Sequence, residues 1–148
     1  MANQNGIRRA PKVFGDTASW IALLNKDDAL HTRALEIRRE LRQRKVRVVT
    51  TEFVLLEVAD GLSDPPLRKA VIAFIEELRR EPTIEIVSLC EQLMAKGWGL
   101  YQQRLDKEWG LTDCISFVVM QEQGITEAFT SDPHFTQAGF TILLSHKP

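Results

Sequence analysis

Four acidic residues, Asp16, Glu57, Asp113 and Asp132, stand beside apolar runs where a chain turns or a helix begins. Asp16 follows "KVFG" and precedes "TASWIALL". Taken alone it is an N-cap, a position Asp fills readily. Glu57 shares the apolar face of "FVLLEVA", one turn beyond Phe53 and Val54, so its carboxylate either reaches water or has a partner. Asp113 opens "LTDCISFVVM", which as a helix is apolar nearly all round and belongs inside a domain. With Thr112 beside it, Asp113 also reads as a cap. Asp132 lies after "ITEAFTS" and before Pro133, where an Asx turn is ordinary.

Brought to one place, these carboxylates repel, and either one stays protonated or a cation neutralises the set. Mg²⁺ or Mn²⁺ is the suitable ion: hard, oxygen-liganded, and satisfied by a few carboxylates, waters and a phosphate. The chemistry indicated is metal-assisted hydrolysis of a phosphodiester. Other chemistries lack their residues. His31, His134 and His146 form no HExxH or Cys/His pattern. "GWG" at Gly97–Gly99 lies in a helical stretch without the ending of a P-loop, and there is no GxSxG elbow. Cys90 and Cys114 sit in apolar company and read as reduced core thiols.

The elements that must position these residues alternate. "KVF", "VRVVT", "TIEIVS", "ITEAFTS" and "FTILLS" read as strands. Helical spacing runs through Thr17–Asp28, Leu30–Lys45, Thr51–Leu62, Leu67–Arg80, Leu89–Gly110 and the segment opening at Leu111. Ser63–Pro66 reads as a turn, and Glu81-Pro82 as a helix break. Short apolar strands alternating with helices predict a parallel sheet covered on both faces. Functional side chains then gather beyond the strands' carboxyl ends, which collects at least three of the carboxylates.

A length of 148 residues predicts one domain, spanning 11–148 behind a flexible arm at 1–10. No apolar run reaches membrane-spanning length, and the polar start lacks a secretory signal, so a cytoplasmic location without a membrane partner is expected. A formal net charge of −1 gives no support to a nucleic-acid partner. "RRELRQRKVR" concentrates Arg38, Arg39, Arg42 and Arg44 on a helix, either as a solvated face or as a phosphate-contacting patch.

"VFGDTASWIALLNKDDALHTRA", "TTEFVLLEVADGL" and especially "DKEWGLTDCISFVVMQEQGITEAFTSDPHFTQAGF" resemble PIN-domain ribonucleases, in particular VapC-type toxins of toxin–antitoxin pairs. The likeness runs from about Lys12 to Leu144, and the last stretch is the specific one. It implies an α/β fold, a three-layer α/β/α sandwich around a parallel sheet of four or five strands. It also implies an acidic pocket holding Mg²⁺ or Mn²⁺ on Asp16, Glu57, Asp113 and Asp132, which would be the catalytic set. Asp106 matches an additional acidic position, and Thr17, Thr112 and Thr130 match hydroxyls that orient carboxylates or water. His31 occupies a family position but reads first as a packing residue. Gly15 departs from the bulkier residue usual before the first aspartate, which would loosen the strand's end.

The activity implied is endoribonuclease cleavage of single-stranded RNA, with basic residues at the pocket's rim offsetting its field: Arg38, Arg39, Arg42 and Arg44, with Arg79 and Arg80. A cognate antitoxin and homodimerisation are the implied partnerships. The apolar helices "TASWIALL" and "FVLLEV" offer dimer faces, though core packing explains them equally. Rival readings are a PIN fold that binds RNA or protein without cutting, and a related metal-dependent nuclease or phosphatase outside any toxin–antitoxin system.

Overall fold

The computed structural model describes residues 11–145; the arm expected over 1–10 lies outside them. Its elements, in chain order, are β1 Lys12–Gly15, α1 Thr17–Leu24, α2 His31–Gln43, β2 Arg47–Thr51, α3 Glu52–Gly61, α4 Pro65–Arg80, β3 Ile84–Val87, α5 Glu91–Gln103, α6 Leu111–Gln123, β4 Glu127–Phe129, α7 Pro133–Gln137 and β5 Thr141–Ile142. The five strands form one sheet in the order β3-β2-β1-β4-β5, and every pairing is parallel. The expected α/β/α architecture is therefore present.

The chain steps outward from β1 to β3, then returns to the other side of β1 for β4 and β5. Right-handed crossovers lay α1–α4 on one face and α5–α7 on the other. Strand order reverses between β1 and β4, and the crevice beyond the carboxyl ends of such a pair is where parallel sheets bind ligands.

Each face packs its own aromatic cluster. Trp20 of α1, fully buried, lies 5.7 Å from Phe74 of α4 and 6.0 Å edge-on to Phe129 of β4. Across the sheet Phe117 of α6 meets Phe135 of α7 at 4.9 Å and Trp109 at 5.0 Å, both edge-to-face. Gly15 does not loosen β1. A Cβ there would meet the Trp20 indole at 2.9 Å or closer, so the glycine makes room for a tryptophan that fills the strand's end. Trp20 and Ala22 of α1, with Val54, Leu55 and Val58 of α3, are core residues, and of these two helices only Leu56 presents a large apolar side chain well exposed.

Helix α1 stops at Leu24 rather than running to Asp28, and three further elements differ from expectation. Pro65 and Pro66 open α4 rather than standing outside it, because a proline in a first helical turn lacks only an N–H that would be unpaired anyway. Helix α5 stops at Gln103, where Arg104 forms a two-point pair with Asp106 and turns the chain. The Asx turn at Asp132 grows into α7, whose proline again starts a helix.

Candidate active site

Asp16 extends the β1 ladder by one residue: its N–H donates to the Phe129 carbonyl at 3.2 Å before the chain turns into α1. It occupies the N-cap position, yet its carboxylate makes no capping bond beyond the adjacent Thr17 N–H. Thr130 Oγ1 donates to Oδ2 at 2.8 Å, and the same hydroxyl accepts from the Asp132 N–H at 3.1 Å. One buried threonine thus fixes two of the acidic residues. Asp16 is 3 % exposed. Burial, reinforced by the negative charges of Asp113 and Asp132, pushes its carboxyl up to about 7 despite the Thr130 and Thr17 hydrogen bonds.

Asp113 sits in the first turn of α6, where its Oδ2 accepts from the Gly110 N–H at 3.1 Å. That bond reaches back to the helix start, so the residue does cap. The same oxygen lies 3.2 Å from His134 Nδ1, and Asp132 Oδ1 lies 3.5 Å from that nitrogen. Asp132 caps α7 by accepting from the His134 N–H at 2.8 Å. Burial and the Asp132 charge raise the Asp113 carboxyl above its ordinary value, against the Gly110 and His134 hydrogen bonds. Ligand atoms of Asp113, Asp132 and His134 all lie within 4.8 Å of one another, a spacing one cation can bridge.

Glu57 reaches the same place from the second turn of α3, its Oε1 accepting from Thr17 Oγ1 at 2.6 Å. Asp16, Glu57, Asp113, Asp132 and His134 line one open cleft of about 640 Å³, at the reversal between β1 and β4. No Lys or Arg is among its lining residues. Such a donor set suits a hard divalent ion: several carboxylate oxygens, one imidazole and no cationic side chain to neutralise them.

Other candidate residues lie elsewhere or act differently. Asp106 is exposed and held by Arg104 at 3.0 Å, a pair that pulls its carboxyl down to about 2; it does not line the cleft. Thr112 accepts from Ser116 through its carbonyl at 3.0 Å, and among the described residues its hydroxyl bonds no carboxylate. His31 Nδ1 pairs with the Ala22 carbonyl at 2.7 Å and ties α2 to α1.

The arginines of α2 are not at the rim. That helix ends beside the amino ends of the strands: Val46 bonds back to Leu41, and Arg47 starts the ladder against Pro11. The acidic cleft lies at the carboxyl ends, a strand's length of roughly 15 Å away. Arg38 is buried and paired with Glu81 at 2.8 Å, where Arg42 joins at 3.4 Å. Arg44 pairs with Glu40 at 3.7 Å, Arg39 shares the same exposed helix, and Arg79 is held by Glu52 at 3.3 Å.

Motif reading missed His134 and also Asp60, an exposed carboxylate of α3 that lines the same cleft. The placement of His134 follows from α7: with Asp132 at the N-cap and Pro133 at the first helical position, the His134 imidazole lies 3.5 Å from the Asp132 carboxylate.

A family model for the PIN domain matches residues 13–141. The chain belongs to the PIN-domain family. This PIN domain is 29% identical over 128 residues to the 23S rRNA-specific endonuclease VapC20 of Mycobacterium tuberculosis, covering 86% of this chain and 95% of that protein. The crystal structure of VapC20, a sarcin-ricin loop cleaving toxin, matches with a TM-score of 0.75 at 28% identity, over 87% of this chain and 96% of the other. VapBC2 from Rickettsia felis, bound to a DNA fragment from its promoter, shares the fold with a TM-score of 0.63 at 13% identity, over 89% and 97% of the two chains.

Proposed function

We propose that this PIN domain is a divalent-metal-dependent endoribonuclease that hydrolyses phosphodiester bonds of single-stranded RNA, and that it is the toxin of a toxin–antitoxin pair. The observation that carries the reading is Asp16: a buried carboxyl held beside Asp113 and Asp132, in a cleft lined by no Lys or Arg. A scaffold gains nothing from that arrangement, whereas a cation site requires it. The relative of known activity, a ribosomal-RNA endonuclease matched over 86% of this chain, supports RNA as the substrate class.

Asp16, Asp113 and Asp132 would hold Mg²⁺ or Mn²⁺, with Glu57 at the open side and His134 as a nitrogen donor or a brace. The ion, when bound, would polarise the scissile phosphate and acidify a water beside it. The chain's own work is positional. Thr130 holds Asp16 and the backbone of Asp132, while Gly110 and His134 fix Asp113 by one oxygen. The Trp109–Phe117–Phe135 cluster packs α6 against α7, so the two aspartates keep their separation. An antitoxin would inhibit by bringing an Arg or Lys to these carboxylates, and we assign homodimerisation to the free toxin, with sedimentation equilibrium as its check.

Asp113→Asn decides the matter, because Asn still accepts from Gly110 but removes the charge. With Mg²⁺ or Mn²⁺ and a 23S rRNA fragment, the parent should cut and the variant should be slowed at least 100-fold. A variant that cuts at the parent rate overturns the catalytic reading. A parent that binds but never cuts makes the domain a binding module, and preferential hydrolysis of DNA or a phosphomonoester removes RNA as the substrate.

A further inference from the structure

Helix α5 and the turn after it leave an apolar stripe in water. Met94, Trp98, Tyr101 and Leu105 recur at helical spacing and are 40, 47, 43 and 91 % exposed. The adjoining face of α5, with Leu93 and Gly97, is committed to α6. Gly97 allows so close an approach that an added Cβ would collide with the Ile115 side chain and lie 3.2 Å from its Cα. Trp98 and Tyr101 stack on each other, ring centroids 5.5 Å apart and planes 13° from parallel. Two large flat faces are thereby held in place and left open to solvent.

The stripe leads somewhere. Tyr101 enters a cleft of about 340 Å³ whose walls include Arg104, Lys107, Trp109 and Gly110. The Arg104 guanidinium lies 4.9 Å over the Trp109 ring and the Lys107 ammonium 5.9 Å from it. Asp106 holds Arg104 by two bonds of 3.0 Å, which orients the guanidinium. Gly110, the last wall, donates to Asp113 itself. Glu108 also lines this cleft. Stacked aromatics, two cations and the residue bonded to Asp113 therefore lie in series on one side of the molecule, the cleft at Gly110 adjoining the acidic one through that bond, as a groove a strand could follow.

We infer that this groove is the substrate-strand subsite: Trp98 and Tyr101 stack an unpaired base of the RNA, and Arg104 and Lys107 contact its phosphates on the way to Asp113. The inference rests on the RNA reading of the acidic cleft and adds where the strand lies. Base stacking on exposed aromatics tolerates sequence and strengthens binding by about tenfold or more per base. Arg104, oriented by Asp106, and Lys107 supply N–H donors for a phosphate beside the acidic cleft. Nothing else among the described residues offers the cleft this combination of bare aromatic faces and facing cations.

Trp98 is the principal probe, since Trp20 is 0 % exposed and Trp109, in the cleft wall, is 6 % exposed. Adding a single-stranded RNA oligonucleotide to the parent protein in metal-free buffer should quench tryptophan emission. Trp98→Ala should remove most of the quenching and, with Tyr101→Ala, raise KM for RNA tenfold or more while kcat changes less than twofold. Trp98→Phe should restore the parent KM. Unaltered KM in both alanine variants, or tryptophan emission indifferent to RNA, overturns the subsite. So does a fall in sedimenting mass in Trp98→Ala, which would make the stripe a contact between copies. The two readings fail separately: cleavage with unaltered alanine variants sinks the subsite alone, while RNA quenching through Trp98 in a protein that never cuts sinks the nuclease alone.

Discussion

Asp16 is the residue on which pH should act most. Its carboxyl lies near 7 in the folded chain and near 3.8 when exposed, so between those values the folded state holds a proton that the unfolded state has lost. The associated stability is complete below about 4 and disappears as pH rises through 7, the usual acid-destabilised pattern reversed. The metal-free protein should lose a few kcal/mol from this group across that window, and Asp16→Asn should flatten the slope and raise Tm at pH 8; an unchanged slope in urea titrations would show that Asp16 ionises freely. A cation reverses the sign, because it needs the carboxylate. The rise in Tm produced by Mn²⁺ should therefore be larger at pH 8 than at pH 5.5, and equal rises would contradict ligation by Asp16. His134 is tested at the same scale. His134→Ala removes the contact with Asp113 at 3.2 Å and should weaken Mn²⁺ binding tenfold or more by calorimetry, while Asp132 still caps α7. The four carboxylates were legible because they recur beside strand ends and core helices. His134 was not, because its position depends on a one-turn helix that the sequence presents as an Asx-Pro turn.

At the scale of elements, α6 sets the geometry of the site and α5 sets α6. Gly97 faces Ile115, two residues from Asp113, with no room for a methyl group against backbone. Gly97→Ala should cost about 1–3 kcal/mol through overpacking, and the forced shift should lower RNA cleavage more than metal-free Tm alone would account for. A melt and a cleavage assay on the same preparation decide it: a variant with parent stability and parent activity would mean that α5 moves off without consequence. The strand–helix alternation was legible throughout, since each strand is a short β-branched or aromatic run and each helix keeps its apolar spacing. Boundaries failed where the local rule has two outcomes. Pro65 and Pro133 are breakers inside a helix but starters at its first turn; Asp132 caps the second of these helices, whereas Asp64 makes no side-chain cap to mark the first. Likewise the packing that requires Gly97 inside α5 is visible only once α6 is beside it.

For the whole molecule, the sheet separates two charge systems. Acidic residues cluster beyond the strands' carboxyl ends, and the arginines of α2 gather by the amino ends, so a net charge of −1 conceals an uneven distribution. The sequence showed the arginine cluster but not its edge, because placement follows from the direction α2 takes back to β2. Position and pairing together point Arg38 toward stability. Arg38 is 5 % exposed, and its guanidinium bridges α2 to Glu81 at the end of α4, with Nη1 buried and unpaired among the described residues. Removing it leaves Glu81 with only the more exposed Arg42 and the Thr83 hydroxyl, and opens a gap below α2, so Arg38→Ala should destabilise by about 2–4 kcal/mol. Arg39→Gln combined with Arg44→Gln touches only exposed side chains and should leave Tm within about 1 °C. Neither change approaches the acidic cleft. KM for RNA, measured at one salt concentration and below each variant's melting range, should stay within twofold of the parent for both. A tenfold rise in KM for Arg39→Gln/Arg44→Gln would mean that the RNA strand wraps from one sheet edge to the other, and would return the α2 arginines to the binding surface.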